Sequence, residues 1–253
     1  MRSFRSSVAC VVCVACLGTA TPAFAQAQAA QPSSDSQSVA GLFKNTLNDF
    51  RRLPSQETLT WLTIGAAVAA TGQTKDWDVS NGFSRSRMRG IFDAGETIGG
   101  ARAQLAGALA TYAIGRASGH VKVAHVGGDL IRAQVLAQAM TAGIKLSARR
   151  NRPDGGEFSF PSGHTSVTFA TATVVQRHFG WKAGVPAYAV ASYVAASRVH
   201  VKRHFLSDVA FGAVVGVVAG RTVTIGLGKA QFALSPAVSR NQAGVALVLL
   251  DGN

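Results

Sequence analysis

The chain has 253 residues, 47% of them hydrophobic, and its 25 Lys and Arg against 12 Asp and Glu give a net charge of +13. That length holds one sizeable domain, or one with appendages, around an ample core, and the charge points to nucleic acid, an acidic membrane surface or a phosphorylated small molecule as partner. All three cysteines, Cys10, Cys13 and Cys16, lie near the start, which excludes disulfides and thiol chemistry from everything downstream.

Residues 1–25 read as a signal peptide. Arg2 and Arg5 form a charged head, "VACVVCVACLG" is a short apolar run, and Ala23-Phe24-Ala25 is a small-residue cleavage site. The run is shorter than the roughly 20 apolar residues of a spanning helix. Its cysteines are therefore apolar filler rather than a redox or metal motif. Removing Arg2 and Arg5 with the leader lowers the charge from +13 to +11. An exported, periplasmic protein of this charge is not expected to meet nucleic acid, which leaves a phosphorylated molecule or a membrane surface.

Residues 26–40, "QAQAAQPSSDSQSVA", are a polar, disordered linker. From 41 to 228 the apolar residues follow helical spacing, with segments near 59–72, 100–118, 130–149, 164–178, 184–198 and 205–226. The fold class is all-α, a helical bundle. Val167, Ala170, Thr171, Val174, Val175 and His178 form one stripe, and Gly212, Gly216 and Gly220 recur every fourth residue, which predicts close approach of another helix. Charge-free runs such as 103–115, 183–197 and 209–220 fall below the roughly 17 residues that a spanning helix needs. They favour a soluble or peripherally attached domain over an integral membrane bundle. Residues 229–253, with "FALSPAVS" and "VALVLL" around "RNQAG", predict a C-terminal β-hairpin with Pro236 on an edge strand.

Three clusters carry chemistry. Lys145 and Arg152 are seven positions apart, and a helix through both would project them from one face, about 20° apart. Arg149 sits near that face and Arg150 points elsewhere, with Pro153 ending the helix. Ser162 of Pro161-Ser162-Gly163-His164 is a good N-cap, and Gly163 leaves the amides behind it unobstructed for an anion. His204 and Asp208 have the spacing at which a carboxylate one helical turn away accepts a ring N–H and fixes the tautomer. Each cluster alone has a structural explanation: a basic helix end, a capped helix start, a surface pair.

Together, in this order, "KLSARRNRP" (145–153), "PSGH" (161–164) and "SRVHVKRHFLSD" (197–208) closely resemble the type 2 phosphatidic acid phosphatase superfamily, which includes bacterial acid phosphatases and vanadium haloperoxidases. The resemblance spans roughly 93–226, from "DAGETIGG" onward, without departure in the signature. It implies that Lys145, Arg152 and Arg198 hold phosphoryl oxygens, with Ser162 and the amides of Gly163 and His164 completing the cradle. It also implies that His204 is the nucleophile, Asp208 its orienting partner and His164 the general acid.

The expected activity is a phosphatase acting on a phosphomonoester or pyrophosphate, including lipid phosphates, through a phosphohistidine. No cofactor is expected. Between 145 and 208 the acids are Asp154, Glu157 and Asp208, too few for a two-metal site, and Lys202 and Arg203 disfavour a metal at His200 and His204. His120, His125 and His178 read as surface or packing residues. The alternatives are a vanadium-dependent haloperoxidase, disfavoured by the short chain, and a non-catalytic lipid-phosphate-binding protein, disfavoured by the presence of both histidines. Phe158 and Phe160 either line an apolar entrance or pack under the loop.

Overall fold

The computed structural model describes residues 38–84 and 90–225 down to their side chains. The predicted leader, nearly all of the linker and the predicted C-terminal hairpin lie outside these residues. What is described is mostly helical.

The chain enters the fold earlier than the composition suggests. Ser38 caps α1 (Val39–Arg52), accepting from Gly41 N–H at 2.9 Å, so the linker ends before residue 40. Ser55 likewise caps α2 (Gln56–Gln73) through Thr58 N–H at 3.1 Å. Both are short hydroxyl side chains satisfying an orphan amide. Three brief helices follow, α3 (Asp76–Ser84), α4 (Arg89–Phe92) and α5 (Ala94–Gly99). None was apparent in the apolar periodicity, because helices this short show too few turns to reveal a period.

The long helices are α6 (Ala101–Ala117), α7 (Val121–Ala148), α8 (Gly163–Phe179), α9 (Trp181–His200) and α10 (Leu206–Val223). They match the periodic segments to within a few residues, except that α7 starts nine residues before the predicted 130. In its opening residues 121–129 the polar Lys122, His125 and Asp129 alternate with apolar residues, and buried Asp129 falls among buried apolar neighbours, so the apolar period is obscured there.

The core lies where α7, α8 and α10 meet, around Ala133, Leu136, Ala137, Ala170, Val174 and Ala219, all fully buried. Gly212, Gly216 and Gly220 of α10 face α8, as their four-residue spacing predicted. A Cβ on Gly216 would stand 2.3 Å from the Ser166 carbonyl oxygen, and one on Gly220 2.5 Å from Thr173 Cβ. Only hydrogen at these positions lets the two backbones touch. The helix α8 is thereby buried over more than its predicted stripe, since Thr165, Ser166, Ala172 and Thr173 are buried as well. Its threonine hydroxyls fold back onto its own carbonyls, as Thr168 does to His164 at 2.9 Å and Thr173 to Phe169 at 2.8 Å.

Replacing Gly216 by alanine should cost about 1–3 kcal/mol through overpacking. The same change at Gly107, on α6 with open space around it, should be neutral or slightly stabilising. Thermal unfolding of the two variants side by side measures the difference.

Candidate active site

Helix α7 ends at Ala148 because Arg149 takes the left-handed conformation, φ 45°. Arg152 therefore does not continue the helical face of Lys145, contrary to the reading from spacing. Pro153 disfavours helical backbone at the residue before it, and the chain turns instead. Arg152 N–H donates to Gly156 O at 2.7 Å, Gly155 sits at φ 88° where a side chain would be strained, and Ser159 N–H returns to Arg150 O at 2.7 Å. This loop brings Arg152 back beside Lys145 by a different route. The Lys145 ammonium donates to the carbonyl of Phe158, while Arg152 keeps a buried Nε–H without a hydrogen-bond partner.

The loop delivers the chain to Ser162, which caps α8, receiving Thr165 Oγ1 at 3.0 Å and Thr165 N–H at 3.4 Å. Its hydroxyl is fully buried. The amides of Gly163 and His164 head the helix, where no preceding turn can receive them.

Arg198 lies at the last turn of α9, 2% exposed, and its Nη1 donates to Glu96 Oε2 at 3.0 Å. That pairing holds the Glu96 carboxyl below its ordinary range. Glu96 comes from α5, whose glycines allow the approach: a Cβ on Gly95 would meet Ser197 Oγ at 2.2 Å, and one on Gly99 Val194 Cγ1 at 2.3 Å and His164 Cβ at 3.3 Å. Glu96 escaped the sequence reading, although "DAGETIGG" was marked as the edge of the resemblance.

His204 is 4% exposed. Burial pushes its pKa below the ordinary value while Asp208 pulls the other way, so the ring is neutral near pH 7. The tautomer is set differently from the helical-pair prediction. Nδ1 lies 2.7 Å from the Ser159 carbonyl oxygen and 3.8 Å from Asp208 Oδ2. A carbonyl can only accept, so Nδ1 carries the proton and Nε2 is left with its lone pair.

Asp208 serves more partners than one imidazole. It accepts from Phe205 N–H at 2.8 Å, from the Ser159 hydroxyl, and from Arg150 Nη1 at 2.7 Å. Arg150, which spacing placed away from the site, also reaches Ser207 Oγ and Asp76 Oδ2, both at 2.7 Å, and lies over the Phe205 ring at 4.3 Å. Arg150, Asp76 and Ser207 are support residues that the sequence did not reveal, because they meet only through the fold.

The expected residues do come together. His164 lies within electrostatic reach of Arg152, Arg198 and His204, and Lys145 within that of Arg152 and Asp208. Among the described residues neither Lys145 nor Arg152 forms an ion pair, so the site carries cationic charge that its own carboxylates leave unbalanced. By contrast His200 turns away from His204, its ring packing on Phe92 at 4.9 Å and Phe83 at 5.4 Å. Phe160 packs on Phe211 at 4.9 Å under the loop.

A family profile described as the PAP2 superfamily matches residues 127–231, which contain all three clusters. This region of the chain is similar to the PAP2 superfamily. The chain is also 39% identical over 101 residues to a lipid A 1-phosphatase of Porphyromonas gingivalis, an alignment covering 37% of this chain and 23% of that protein. It thus spans about a quarter of that curated relative's length. Among solved structures it is similar to Aquifex aeolicus LpxE, with a TM-score of 0.51 at 20% identity over 58% of this chain and 93% of that one. It is similar too to a transmembrane PAP2-type phosphatidylglycerolphosphate phosphatase from Bacillus subtilis, with a TM-score of 0.53 at 19% identity over 73% and 92%. At these identities the likeness establishes a shared PAP2 helical fold.

Within the PAP2 region, Arg150 is the cation that keeps Asp208 and Asp76 buried. Arg150→Gln should lower stability by about 3–5 kcal/mol, the range for removing one partner of a buried ion pair. Denaturant unfolding measures it, and a loss below about 1 kcal/mol, as for an exposed pair, would contradict the network described.

Proposed function

We propose that the protein is a metal-independent phosphatase of lipid phosphates that works through a phosphohistidine on His204. The observation that carries this reading is the neutral, buried His204 with its Nδ1 proton held by Ser159, beside cations that lack carboxylate partners. Lys145, Arg152 and Arg198 hold the phosphoryl oxygens, together with the amides of Gly163 and His164 at the head of α8. The phosphoryl group then carries its charge in a fixed cationic, amide-lined cup, which stabilises the transition state without a metal.

In the first step Nε2 of His204 attacks phosphorus, an N–P bond forms and the P–O bond to the leaving group breaks. His164, whose pKa burial and Arg198 push down to about 4 in the free protein, takes up a proton together with the anionic phosphate and gives it to the departing oxygen. The ring of His204 is then cationic, and Asp208, 3.8 Å away, stabilises it at a distance while Ser159 keeps its orientation. In the second step water attacks phosphorus, His164 takes one of its protons, the N–P bond breaks and phosphate leaves. Phosphate has to displace the Glu96 carboxylate from Arg198, so Glu96 holds the arginine extended until an anion arrives.

Lipid is favoured over a soluble substrate by the outer surface. Leu59 and Ile64 of α2, Leu109 and Ile114 of α6, and Trp181 and Val185 of α9 are all exposed. Apolar surface on this scale marks a membrane or a partner. We place it in a bilayer. The charges that interrupt the apolar runs, Arg102 and Arg116, Lys182 and Arg198, Asp208 and Arg221, lie within three residues of the ends of α6, α9 and α10. There the exposed ones extend to the interface and do not shorten the span. A 20-residue helix such as α9 is about 30 Å long, the thickness of the hydrocarbon layer. This reverses the preference for a soluble or peripheral domain. By composition alone Leu206–Val223 is the one described helix apolar and long enough to cross, and it is mostly buried in the bundle; the exposed faces of its neighbours are what meet lipid.

His204→Gln should reduce phosphate release by at least about 10³-fold while vanadate or phosphate still binds, and His164→Gln should reduce it by about 10²–10⁴-fold. Acid-labile, base-stable phosphate bound to rapidly quenched enzyme, lost in His204→Gln, identifies the intermediate; unchanged turnover in that variant removes it.

The substrate class is tested by comparing kcat/KM for lipid A, phosphatidic acid, phosphatidylglycerolphosphate, a prenyl pyrophosphate and p-nitrophenyl phosphate, with and without chelator. The lipid substrates should be preferred and chelator should leave rates unchanged. Equal rates on the soluble ester, or release of the protein from membranes by alkaline carbonate, would overturn the lipid and bilayer readings.

A further inference from the structure

A second cluster of ligand-type side chains lies at the other end of the bundle. His164 and His178 are 14 residues apart on α8, or about 21 Å at the helical rise. At that far end the last turn of α8 meets the early turns of α7. His178 Nε2 lies 2.8 Å from Asp129 Oδ2, and His125 Nε2 lies 4.0 Å from Asp129 Oδ1. One donor atom from each of the three falls within 4.8 Å of the others. Their rings stand edge to face with centroids 5.4 Å apart. The sequence reading left both histidines as surface or packing residues, but His178 has only 5% of its side chain exposed and is turned inward onto a carboxylate.

The surroundings suit a cation. Asp49 and Asp129 bring two buried carboxylates to the buried Arg132, while the second cation, Arg52, is half exposed and 4.0 Å from Asp49, so the buried part of the network holds two negative charges against one positive. Arg132 does not occupy the site. It is held away by two bonds to Asp49, at 2.7 and 3.0 Å, and by the Val223 carbonyl at 3.2 Å. Its remaining contact is Nη1 to Asp129 Oδ1 at 2.7 Å. That leaves Oδ2 for His178, with His125 nearest Oδ1 at 4.0 Å, and fixes the carboxylate as an outer partner does in metal sites. His125 is one-third exposed, free to swing the remaining distance to the roughly 3.3 Å separation of donors around a tetrahedral ion. A cavity of about 30 Å³ lined by Leu42, Asn45, Tyr112, Gly128 and Arg132 opens beside His125 and Asp129, room for one water as fourth ligand.

We propose that His125, Asp129 and His178 bind a transition-metal dication of the zinc class, joining the start of α7 to the end of α8. Two imidazoles, one carboxylate and a water form the donor set that zinc accepts, whereas calcium and magnesium require mostly oxygen. The ion is structural and sits far from His204, so this inference stands independently of the proposed reaction.

The test uses the full chain in detergent, carrying no histidine tag, stripped with chelator and re-equilibrated with zinc. Metal analysis should give one zinc per chain, and competition against a chromogenic chelator should give its affinity. His125→Gln, a change at a partly exposed position that leaves the Asp129–Arg132 pair intact, should weaken binding at least tenfold, since outer-sphere changes alone cost about that much. His178→Gln should do the same, and His200→Gln and His204→Gln should retain the zinc. Zinc should raise the melting midpoint of the unmodified protein but not of His125→Gln. No bound zinc after re-equilibration, or equal affinity in His125→Gln, overturns the proposal whatever the phosphatase assays show.

Discussion

A carboxylate with no access to water has to be surrounded by donors, and the site is arranged around the way Asp208 meets that demand. Its oxygens draw in the amide of Phe205, the N-cap of α10, the hydroxyl of Ser159 from the loop before α8 and the guanidinium of Arg150 just beyond the end of α7. The 149–162 loop is thereby held to the start of α10. Arg150 in turn needs a second carboxylate, and Asp76 supplies it while also receiving Ser207 N–H at 3.0 Å. Loss of any member leaves a buried charge unpaired, which is why such networks are costly to break even where their net contribution to stability is small.

That arrangement explains the division of labour around His204. A carboxylate already receiving three donors has little left to offer the imidazole, and the ring is oriented by the Ser159 carbonyl instead. Asp208 still acts on it through charge. The same loop residue, Ser159, thus donates its hydroxyl to Asp208 and accepts the His204 proton on its carbonyl, so the positions of imidazole and carboxylate are coupled through one residue. The cations nearby are held differently. Arg198 is paired with the exposed Glu96, an ion pair that an incoming anion can replace, whereas Arg152 has a buried N–H with no partner at all. A site that binds anions reversibly needs cations of this second kind, because those already neutralised by buried carboxylates are unavailable.

The helices carry the site by close backbone contact rather than by large side chains. Gly212, Gly216 and Gly220 let α10 lie on α8, and Gly115 and Gly127 do the same for α6 and α7, where a Cβ would stand 2.2 and 2.3 Å from the facing backbone. Packing of this kind does not depend on expelling water from between the helices, so it serves equally well when the outer faces meet lipid. The large apolar side chains are left for the outside, on α2, α6 and α9.

The sequence by itself determined the long helices and singled out the residues of the candidate site. Period, caps and the four-residue glycine spacing are local properties, and Lys145, Arg152, His164, Arg198, His204 and Asp208 stand out because their residue types and intervals are rare in combination. What it could not supply was every relation set by chain reversal or by assembly. Arg152 reaches the site through a loop, not along a helix, since Pro153 and the left-handed Arg149 end α7 first. Arg150, Asp76 and Glu96 have no spacing that links them to the motifs, and only the packing of α3, α5 and the 149–162 loop brings them in. The apolar runs come out short because a linear count treats a charge as an end wherever it occurs. The fold puts those charges at helix termini, where Arg102, Arg116 and Lys182 are exposed and Arg198 and Asp208 are buried in the site. Burial and direction are properties of the assembled chain, and a string of residues does not contain them.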